Sequence, residues 1–435
     1  MKSLLVDIGA TRIKYSIFCH KTDSFLGPIN SINFPLPNIL KNGKNETDLV
    51  EIKLIFDNII KDSADNFKID NVFICSQMHG FILQNQRKEL LTNFISWKDE
   101  RASNLFHQDK KINFLDIFQD KIPNFKDITG IKFRSGLPCI NLYSMTESTK
   151  LPENIKILNL AEYLIESLTD KCSGSHESLS QSLGFYNFET SLIDKNINKL
   201  FSKKLIFNNS FSDIKIVSDW KYNNKKISFF TPFGDMQCAI KGLDVSFDNK
   251  VIINMGTGSQ LITQISSAEK NNFEKRSYFN DQFLEVFTHF PCGRAISIYI
   301  DYLNKESSID YWNELNKLSI KDILSSKPVN LSIFKSADNY SKIENEISLN
   351  QSHSNNISLL NGLMKSLVMQ YDFAIKETLL HKDINKILLA GGVSHKLDFI
   401  EDLFENYYSI ETRKIHKNDE TILGLRNIIK DIGIS

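Results

Sequence analysis

The sequence lacks several features that would place the protein in a specialised class. Its 52 Lys and Arg residues equal its 52 Asp and Glu residues, so no basic excess favours nucleic acid or an anionic membrane as a partner. No apolar run approaches the ~20 residues that a membrane-spanning helix needs. The first apolar run is interrupted by Asp7 and has no small-residue cleavage site after it, which argues against a signal peptide. These absences predict a globular protein of the cytoplasm.

Cysteine is also scarce, and its spacing excludes the common cysteine-based sites. The chain has 6 cysteines and no C-x-x-C pair. In a chain of this length, scattered cysteines indicate reduced and mostly buried thiols rather than disulfides or a metal site. The residues concerned are Cys19, Cys75, Cys139, Cys172, Cys238 and Cys292.

The sequence contains a repeated local pattern. The chain is also too long for one compact core. The 435 residues predict two domains. Residues 4–18 read as an apolar strand, a tight turn and a second strand, and residues 251–265 repeat this pattern. We therefore predict a duplicated α/β architecture with a boundary near residues 243–249, giving domains 1–244 and 249–435.

Two segments of the second half are predicted less directly. Residues 360–380 carry apolar side chains at helical spacing and predict one long amphipathic helix. Residues 305–356 are polar and rich in Ser and Asn, which indicates a peripheral lobe or long loops.

Each predicted hairpin has a loop of small residues that suits phosphate binding. The loops are Gly9-Ala10-Thr11 and Gly256-Thr257-Gly258-Ser259. Glycine lets the backbone approach a phosphate, but a hairpin turn also needs glycine for its geometry. Asp7 favours the phosphate interpretation, because a carboxylate at the end of an apolar strand is costly unless it is solvated or near a cation such as Mg²⁺.

Two further features belong to the same predicted phosphate region. Lys14 lies an odd number of residues from Asp7, which on an uninterrupted strand would place it on the opposite face, although the turn removes that constraint. Gly391-Gly392 follows the apolar strand 387–390 and precedes a helix. This junction suits either an anion at a helix start or a plain strand-to-helix turn.

Polar and aromatic side chains follow two other predicted strands. Gln77 and His79 end one strand, and Trp97, Asp99 and Arg101 alternate after another, which predicts that these three share a face. Directional hydrogen bonds and an aromatic wall suit a polyol. Alternatively, His79 is structural, and Asp99 and Arg101 form a surface ion pair of little energetic value.

The segment PFGDMQCAIKG, residues 232–242, places Asp235 among small and uncharged neighbours. The residues after Asp235 can begin a helix, so the acid is either a helix N-cap or a group placed to accept a proton.

Six segments in order carry a resemblance to a known family. They are VDIGATRIK, SQMHG, SWKDER, GDMQCAIKG, NMGTGSQL and LAGGVSHK, with DETILGL near the C-terminus. The set resembles the FGGY carbohydrate kinases of the actin-like, RNase H-like ATPase superfamily, over almost the whole chain. The resemblance implies an α/β fold of two actin-like ATPase domains with a cleft between them. Within the family, Gly234-Asp235-Met236-Gln237 resembles the sedoheptulokinases most, with the xylulokinases next.

The resemblance also implies roles for individual residues. Asp235 is expected to be the catalytic base, and Asp7 and Asp235 are expected near Mg²⁺. Residues expected to bind ATP are Asp7, Gly9, Ala10, Thr11, Arg12, Lys14, Gly256, Thr257, Gly258, Ser259, Gly391, Gly392 and Val393. Residues expected to bind the sugar are Gln77, Met78, His79, Trp97, Asp99, Arg101 and Gln237.

Three positions depart from the family pattern. Arg12 stands in a loop that usually continues with small residues, and the segment at Gly391 is one glycine short of the common form. Cys292-Gly293-Arg294 stands where many relatives have Asn-Gly-Gly.

The expected reaction is ATP-dependent phosphorylation of a ketose at its terminal primary hydroxyl, with sedoheptulose as the expected sugar. A xylulokinase, another pentulose or polyol kinase, and a non-catalytic nucleotide-binding regulator on the same fold are the alternatives. The expected partners are the sugar and MgATP, with no nucleic acid and no membrane, and the sequence is compatible with a homodimer.

Overall fold

A computed structural model describes residues 1–105, 112–265, 273–305, 309–331, 355–415 and 419–433. Its strands are β1 (Lys2–Ile8), β2 (Arg12–Cys19), β3 (Ser24–Phe25), β4 (Asn30–Asn33), β5 (Glu46–Thr47), β6 (Asn71–Ser76), β7 (Ile82–Gln84), β8 (Phe94–Ile95), β9 (Asn154–Leu158), β10 (Gly174–His176), β11 (Lys204–Phe207), β12 (Asn209–Phe211), β13 (Ile216–Tyr222), β14 (Lys225–Phe230), β15 (Phe233–Gly234), β16 (Lys250–Met255), β17 (Gly258–Ile265), β18 (Glu274–Ser277), β19 (Phe283–Pro291), β20 (Lys386–Ala390) and β21 (Glu411–Lys414).

Helices connect and cover these strands. They are α1 (Leu49–Phe67), α2 (Arg101–Asn104), α3 (Phe114–Lys121), α4 (Phe125–Thr129), α5 (Pro138–Ser148), α6 (Leu160–Thr169), α7 (Glu177–Ser180), α8 (Lys195–Lys199), α9 (Asp235–Leu243), α10 (Gly293–Lys305), α11 (Tyr311–Leu315), α12 (Ile320–Ser325), α13 (Asn356–Met369), α14 (Asp372–His381), α15 (Gly392–Lys396), α16 (Ile400–Tyr408) and α17 (Glu420–Asp431).

The two large sheets have the same central topology. In the first, β1 and β2 form an antiparallel hairpin, and β6 runs parallel to β1. In the second, β16 and β17 form the hairpin, and β20 runs parallel to β16. The predicted hairpins and the predicted duplication are therefore confirmed. The central strands are apolar along their length because both faces of each sheet are covered.

The link between the two sheets leaves α9 at Leu243 and enters β16 at Lys250. The domain limits 1–244 and 249–435 follow this link and stay a prediction. A smaller core, built around α3, α5 and the three-stranded sheet β11-β9-β7, is inserted in the N-terminal half.

Helices α9 and α17 cross with their backbones in contact, although they come from opposite halves of the chain. A Cβ added to Gly242 would lie 1.8 Å from the Glu420 carbonyl oxygen, and one added to Gly424 would lie 1.9 Å from that of Cys238. Each helix therefore carries a glycine where the other helix leaves no room for a side chain.

One prediction for the second half needs correction. The single helix predicted over residues 360–380 is two helices, because the chain turns at Gln370 and Tyr371 between α13 and α14. Tyr371 is buried there and its hydroxyl donates to Ser259 Oγ at 2.7 Å, which fixes the break in the core. Within residues 305–356, the described parts include two short helices, α11 and α12, and residues 332–354 lie outside the described residues.

The cysteines are all buried and free, as predicted. In the part of the chain that the structure describes, no helix is both long and apolar enough to cross a membrane.

Candidate active site

The site is built where three neighbouring parallel strands end at one sheet edge. Asp7 of β1 lies beside Cys75 of β6, and Cys75 lies beside Phe233 of β15. Asp235 comes two residues after Phe233, so both acids reach the carboxyl edge of the same sheet. Ligands of α/β sheets collect at this edge.

Asp235 is the first residue of α9, and the N-cap position is held by Gly234. The N-cap alternative for Asp235 is therefore wrong by one residue. Asp235 Oδ1 accepts a hydrogen bond from the Met236 backbone N–H at 2.8 Å. A side chain at Gly234 would lie 2.9 Å from the Ser178 carbonyl oxygen, so only glycine fits before the acid.

The two carboxyl groups are held in an environment that disfavours their charge. Burial and the nearby Asp7 carboxyl raise the pKa of Asp235 to about 7. Burial also raises the pKa of Asp7, and hydrogen bonding to Thr421 and the charge of Lys14 offset this only in part. A carboxyl whose pKa lies near neutrality can exchange a proton at physiological pH.

The C-terminal helix α17 supplies partners that the sequence analysis missed. Thr421 Oγ1 donates to Asp7 Oδ2 at 2.6 Å, and Asp419, just before the helix, pairs with Lys14 Nζ at 2.8 Å. The segment DETILGL indicated family resemblance, but nothing local in it predicts contact with residues about 400 positions earlier. The hairpin register places Lys14 directly opposite Asp7, on the same face of the sheet.

The donor set fits a hydrated Mg²⁺ that also binds phosphate. Within the described ranges, no group of three or more His, Cys, Asp or Glu side chains could enclose a metal ion. Mg²⁺ is usually held by one or two carboxylates with water and phosphate oxygens. Asp7 and Asp235 match that requirement, and burial raises the pKa of both.

A cavity of about 470 Å³ is lined by residues from both halves of the chain, including Lys14, Asp419 and Glu420. Its lining joins Lys14 to Gly391 and Gly392, and adds Asn254 and His395. Gly391 has φ of +92°, and a Cβ there would lie 2.6 Å from Asn254 Oδ1, so both its conformation and its surroundings require glycine.

Part of each predicted phosphate loop is exposed to solvent. Thr11 and Arg12 are exposed, whereas Gly9 and Ala10 are half-buried. In the second loop, Thr257 and Gly258 are exposed and Gly256 is half-buried.

Two other residues predicted to bind ATP lie in the core. The Ser259 side chain accepts the hydrogen bond from Tyr371 described above and is buried. Val393 is buried beside the start of α10.

Part of the predicted sugar-binding set lies beside Asp235. The Met78 Sδ atom is 3.1 Å from the position that a Gly234 Cβ would occupy. Gln77 Nε2 donates to the Gly9 carbonyl at 3.5 Å, and His79 Nδ1 donates to the Ser182 carbonyl at 2.8 Å. Gln237 is buried, and its Nε2 donates to the Ser277 carbonyl at 3.2 Å.

The other three predicted sugar-binding residues do not share a face, because β8 ends at Ile95 and the chain then turns. Trp97 is exposed, whereas Asp99 and Arg101 are buried. Arg101 contacts Asp99 and Glu46, each at 2.7 Å. The alternative prediction, a surface ion pair between Asp99 and Arg101, is therefore also wrong, since this pair belongs to a buried network.

A chain of hydrogen bonds holds the backbone in front of Asp235. The Gly234 N–H donates to Ser178 Oγ at 3.1 Å, and Ser178 Oγ lies 2.9 Å from His176 Nδ1. His176 Nε2 donates to the Ser212 carbonyl at 3.2 Å. Burial lowers the pKa of His176 to about 4, so the ring stays neutral and its Nδ1 accepts. The chain therefore fixes the residue that precedes the acid.

The chain is similar to known proteins in its sequence pattern and in its fold. A model of the N-terminal domain of the FGGY family of carbohydrate kinases matches residues 3–234. No curated protein sequence matches the chain.

Solved structures share the fold over the whole chain. A xylulose kinase from Lactobacillus acidophilus has a TM-score of 0.81 at 16% identity, covering 100% of this chain and 90% of that one. A glycerol kinase from Plasmodium falciparum, solved with ADP, has a TM-score of 0.80 at 15% identity with the same two coverages. A gluconate kinase from Lactobacillus acidophilus has a TM-score of 0.79 at 17% identity, again with 100% and 90% coverage.

These structural likenesses establish the fold, which consists of two actin-like ATPase domains. The family match extends over more than half of the 435 residues and ends at the residue before Asp235. The chain therefore belongs to the FGGY family of carbohydrate kinases.

Proposed function

We propose that this carbohydrate kinase transfers the γ-phosphoryl group of ATP to the terminal primary hydroxyl of a ketose, with Asp235 as the catalytic base. The observation that carries the proposal is the position of Asp235. It lies at a sheet edge beside Asp7, at the start of α9, with Met78 on one side. Its pKa of about 7 suits a group that accepts a proton at neutral pH.

In the proposed reaction, the ionised Asp235 accepts the proton of the sugar hydroxyl. The hydroxyl oxygen forms a bond to the γ-phosphorus as the bond from that phosphorus to the β,γ-bridging oxygen breaks, and ADP leaves. The loose transition state asks the protein mainly for positioning and charge neutralisation. Mg²⁺ bound with ATP neutralises charge on the phosphate oxygens, and Asp7 and Asp235 are the residues that would hold it.

The nucleotide is proposed to occupy the 470 Å³ cavity, with its phosphates towards Lys14 and its adenosine towards Gly391 and Gly392. The exposed parts of the two hairpin loops would donate backbone N–H groups to the phosphates. The other nucleotide assignments follow from the resemblance, but Ser259 and Val393 could contribute only through their backbone or through packing, because their side chains are buried.

We propose sedoheptulose as the sugar, because Gln237 follows Asp235 at the spacing typical of the sedoheptulokinases. Gln77, Met78, His79 and Gln237 would line its pocket. Asp99 and Arg101 would support the pocket from within the buried network. A xylulose substrate is the main alternative, since sugars that share the reacting end differ by few contacts.

An assay of ADP release with a panel of sugars tests the proposed function. We expect turnover with ketoses, and the highest kcat/KM with sedoheptulose, compared with xylulose, ribulose, gluconate and glycerol. A higher kcat/KM with xylulose would contradict the proposed sugar but retain the reaction. ATP binding without turnover on any sugar would instead favour a nucleotide-binding regulator, the alternative motivated by Arg12 and by Cys292-Gly293-Arg294.

The hydrogen-bond chain that ends at Gly234 predicts a positioning role for Ser178. Replacing Ser178 with Ala removes the acceptor of the buried Gly234 N–H. Leaving this N–H without an acceptor costs about 1–3 kcal/mol. We expect kcat to fall about tenfold, with the KM values for ATP and sugar nearly unchanged, because 1.4 kcal/mol corresponds to a factor of ten in rate.

The matched control is Ser180→Ala, because Ser180 is a buried residue of the same short helix whose Oγ bonds Ser210 Oγ and, at 3.4 Å, the His176 carbonyl, but not the Gly234 N–H. Ser178→Thr retains the hydroxyl and should recover most of the rate. A change in KM with kcat retained would contradict the positioning role of Ser178.

A further inference from the structure

A group of charged and polar side chains, of which Glu274 and Arg276 are buried and Arg134 and His79 are half-buried, lies near the segments that carry Asp235. We call Arg134, Glu274, Arg276 and His79 the distal cluster. Glu274 and Arg276 lie two residues apart in β18, so they point to the same face of that strand. Arg134 follows α4 in the N-terminal half and His79 follows β6, so both halves of the chain contribute.

One carboxylate serves both guanidinium groups. Glu274 Oε1 accepts from Arg134 Nη1 at 3.1 Å and from the Lys132 backbone N–H at 3.1 Å, and Glu274 Oε2 accepts from Arg276 Nη2. The three ionised side chains therefore carry one excess positive charge. Arg276 is 5% exposed, and its Nε–H has no hydrogen-bond partner among the described residues. A buried N–H group without an acceptor lowers the stability of the fold unless a ligand accepts its hydrogen bond.

His79 contributes an acceptor to the cluster. Its Nδ1 lies 2.8 Å from the Ser182 carbonyl, which can only accept, so Nδ1 carries the proton and Nε2 has a free lone pair. Burial and the charges of Arg134 and Arg276 lower the pKa of His79 well below its ordinary value, so the ring stays neutral. Donors and an acceptor are thus presented together.

Two contacts connect the cluster to Asp235. Met78, which precedes His79, lies against Gly234, and Gln237 donates to the carbonyl of Ser277, which follows Arg276. Gly234 and Gln237, which flank Asp235, therefore contact Met78 and Ser277. These two residues are adjacent in sequence to His79 and Arg276. These contacts place the cluster next to the segments that hold Asp235.

We propose that the distal cluster binds hydroxyl groups at the end of the ketose remote from the reacting hydroxyl, and so selects for chain length. A hydroxyl can accept from the arginine N–H groups and also donate to His79 Nε2. A carboxylate has no proton for that nitrogen, so a sugar acid fits the same atoms less well. The inference rests on the proposed function, in which the sugar reacts at Asp235.

Arg276→Lys tests the proposal, because it keeps a cation beside Glu274 but removes the Nε–H donor. We expect kcat/KM for sedoheptulose to fall about 10- to 100-fold, mainly through KM, as for the loss of a hydrogen bond to a charged group. For xylulose, which is two carbons shorter and does not reach the cluster, we expect a fall of less than about threefold. Arg413→Lys, at an exposed ion pair of β21, is the control.

The possible results separate this inference from the proposed function. Equal losses on both sugars, or no loss on either, would overturn the inference. A wild-type preference for gluconate that Arg276→Lys abolishes would also overturn it, in favour of a bound carboxylate. If the wild-type enzyme turns over no ketose, the proposed function fails instead. If Arg276→Lys does not fold, His79→Asn is compared on the same two sugars, because Asn tolerates the φ of +59° at that position.

Discussion

Replacing Asp235 with Asn should lower kcat about 10²- to 10⁴-fold, the usual contribution of a general base. The amide fits the same space at the start of α9 but cannot accept the hydroxyl proton. Steady-state ADP release at saturating sugar and ATP measures the loss. The binding of sugar, followed by calorimetry, should be largely retained, because the pocket residues are unchanged.

The control for this variant is Asp244→Asn, at the other end of the same helix. Asp244 is the C-cap of α9 in a left-handed conformation, which Asn also adopts readily. We expect near wild-type turnover from that variant. A turnover of Asp235→Asn within a few-fold of wild type would show that another group accepts the proton.

The same variant has a second, independent effect on stability. The pKa of Asp235 in the folded protein is raised to about 7 from its ordinary value of 3.8, so the folded state favours the protonated acid. Stability associated with the protonated acid is present at low pH and is lost as the pH rises through about 7. Without nucleotide and with a chelator present, Asp235→Asn should therefore melt at a higher temperature than wild type at pH 8 and by a smaller margin at pH 5, and the difference should vanish only below the ordinary pKa of 3.8.

Replacing Gly424 with Ala should have the largest effect on stability among these variants. The added Cβ would lie 1.9 Å from the Cys238 carbonyl oxygen, so α17 must move away from α9. Overpacking of a core typically costs 1–3 kcal/mol, and a clash against backbone lies at or above the upper end, so we expect a loss of about 3 kcal/mol. Urea denaturation measures this free energy of unfolding.

Activity should be lost even under conditions in which Gly424→Ala remains folded. Displacement of α17 also displaces Thr421 from Asp7, and Asp419 from Lys14. Lys430→Ala removes an exposed side chain from the same helix and is the control, with a change of less than about 0.5 kcal/mol. An unfolding free energy of Gly424→Ala equal to that of wild type would mean that the two helices are not in backbone contact.

The sequence was sufficient for the parts of the fold that depend on local pattern. The apolar strands before Gly9 and Gly256 predict both hairpins, and their repetition predicts the duplication. The pattern of apolar residues gave wrong predictions where these depended on how far a strand or helix extends. Strand β8 ends at Ile95, so the alternation of side-chain direction along a strand does not extend to Trp97. The helix predicted over residues 360–380 breaks at Tyr371, whose burial against Ser259 depends on tertiary contacts.

The candidate site shows the same division. The residue types near Asp7 and Asp235 are visible in the sequence, but their shared edge follows from strand pairing across β6. Thr421 and Asp419 could not be predicted, because their contacts join residues more than 400 positions apart. Arg276 was missed because its orphaned donor becomes evident only once β18 is buried.

The position of α17 also has a consequence for the order in which the enzyme becomes competent during its synthesis. The first hairpin, with Asp7 and Lys14, leaves the ribosome long before α17, but the side chains that contact these two residues belong to Asp419 and Thr421. A nascent chain that ends before residue 419 can form its N-terminal sheet but cannot close this edge of it. The growing polypeptide is therefore expected to lack the proposed kinase activity until residues 419–431 have been synthesised.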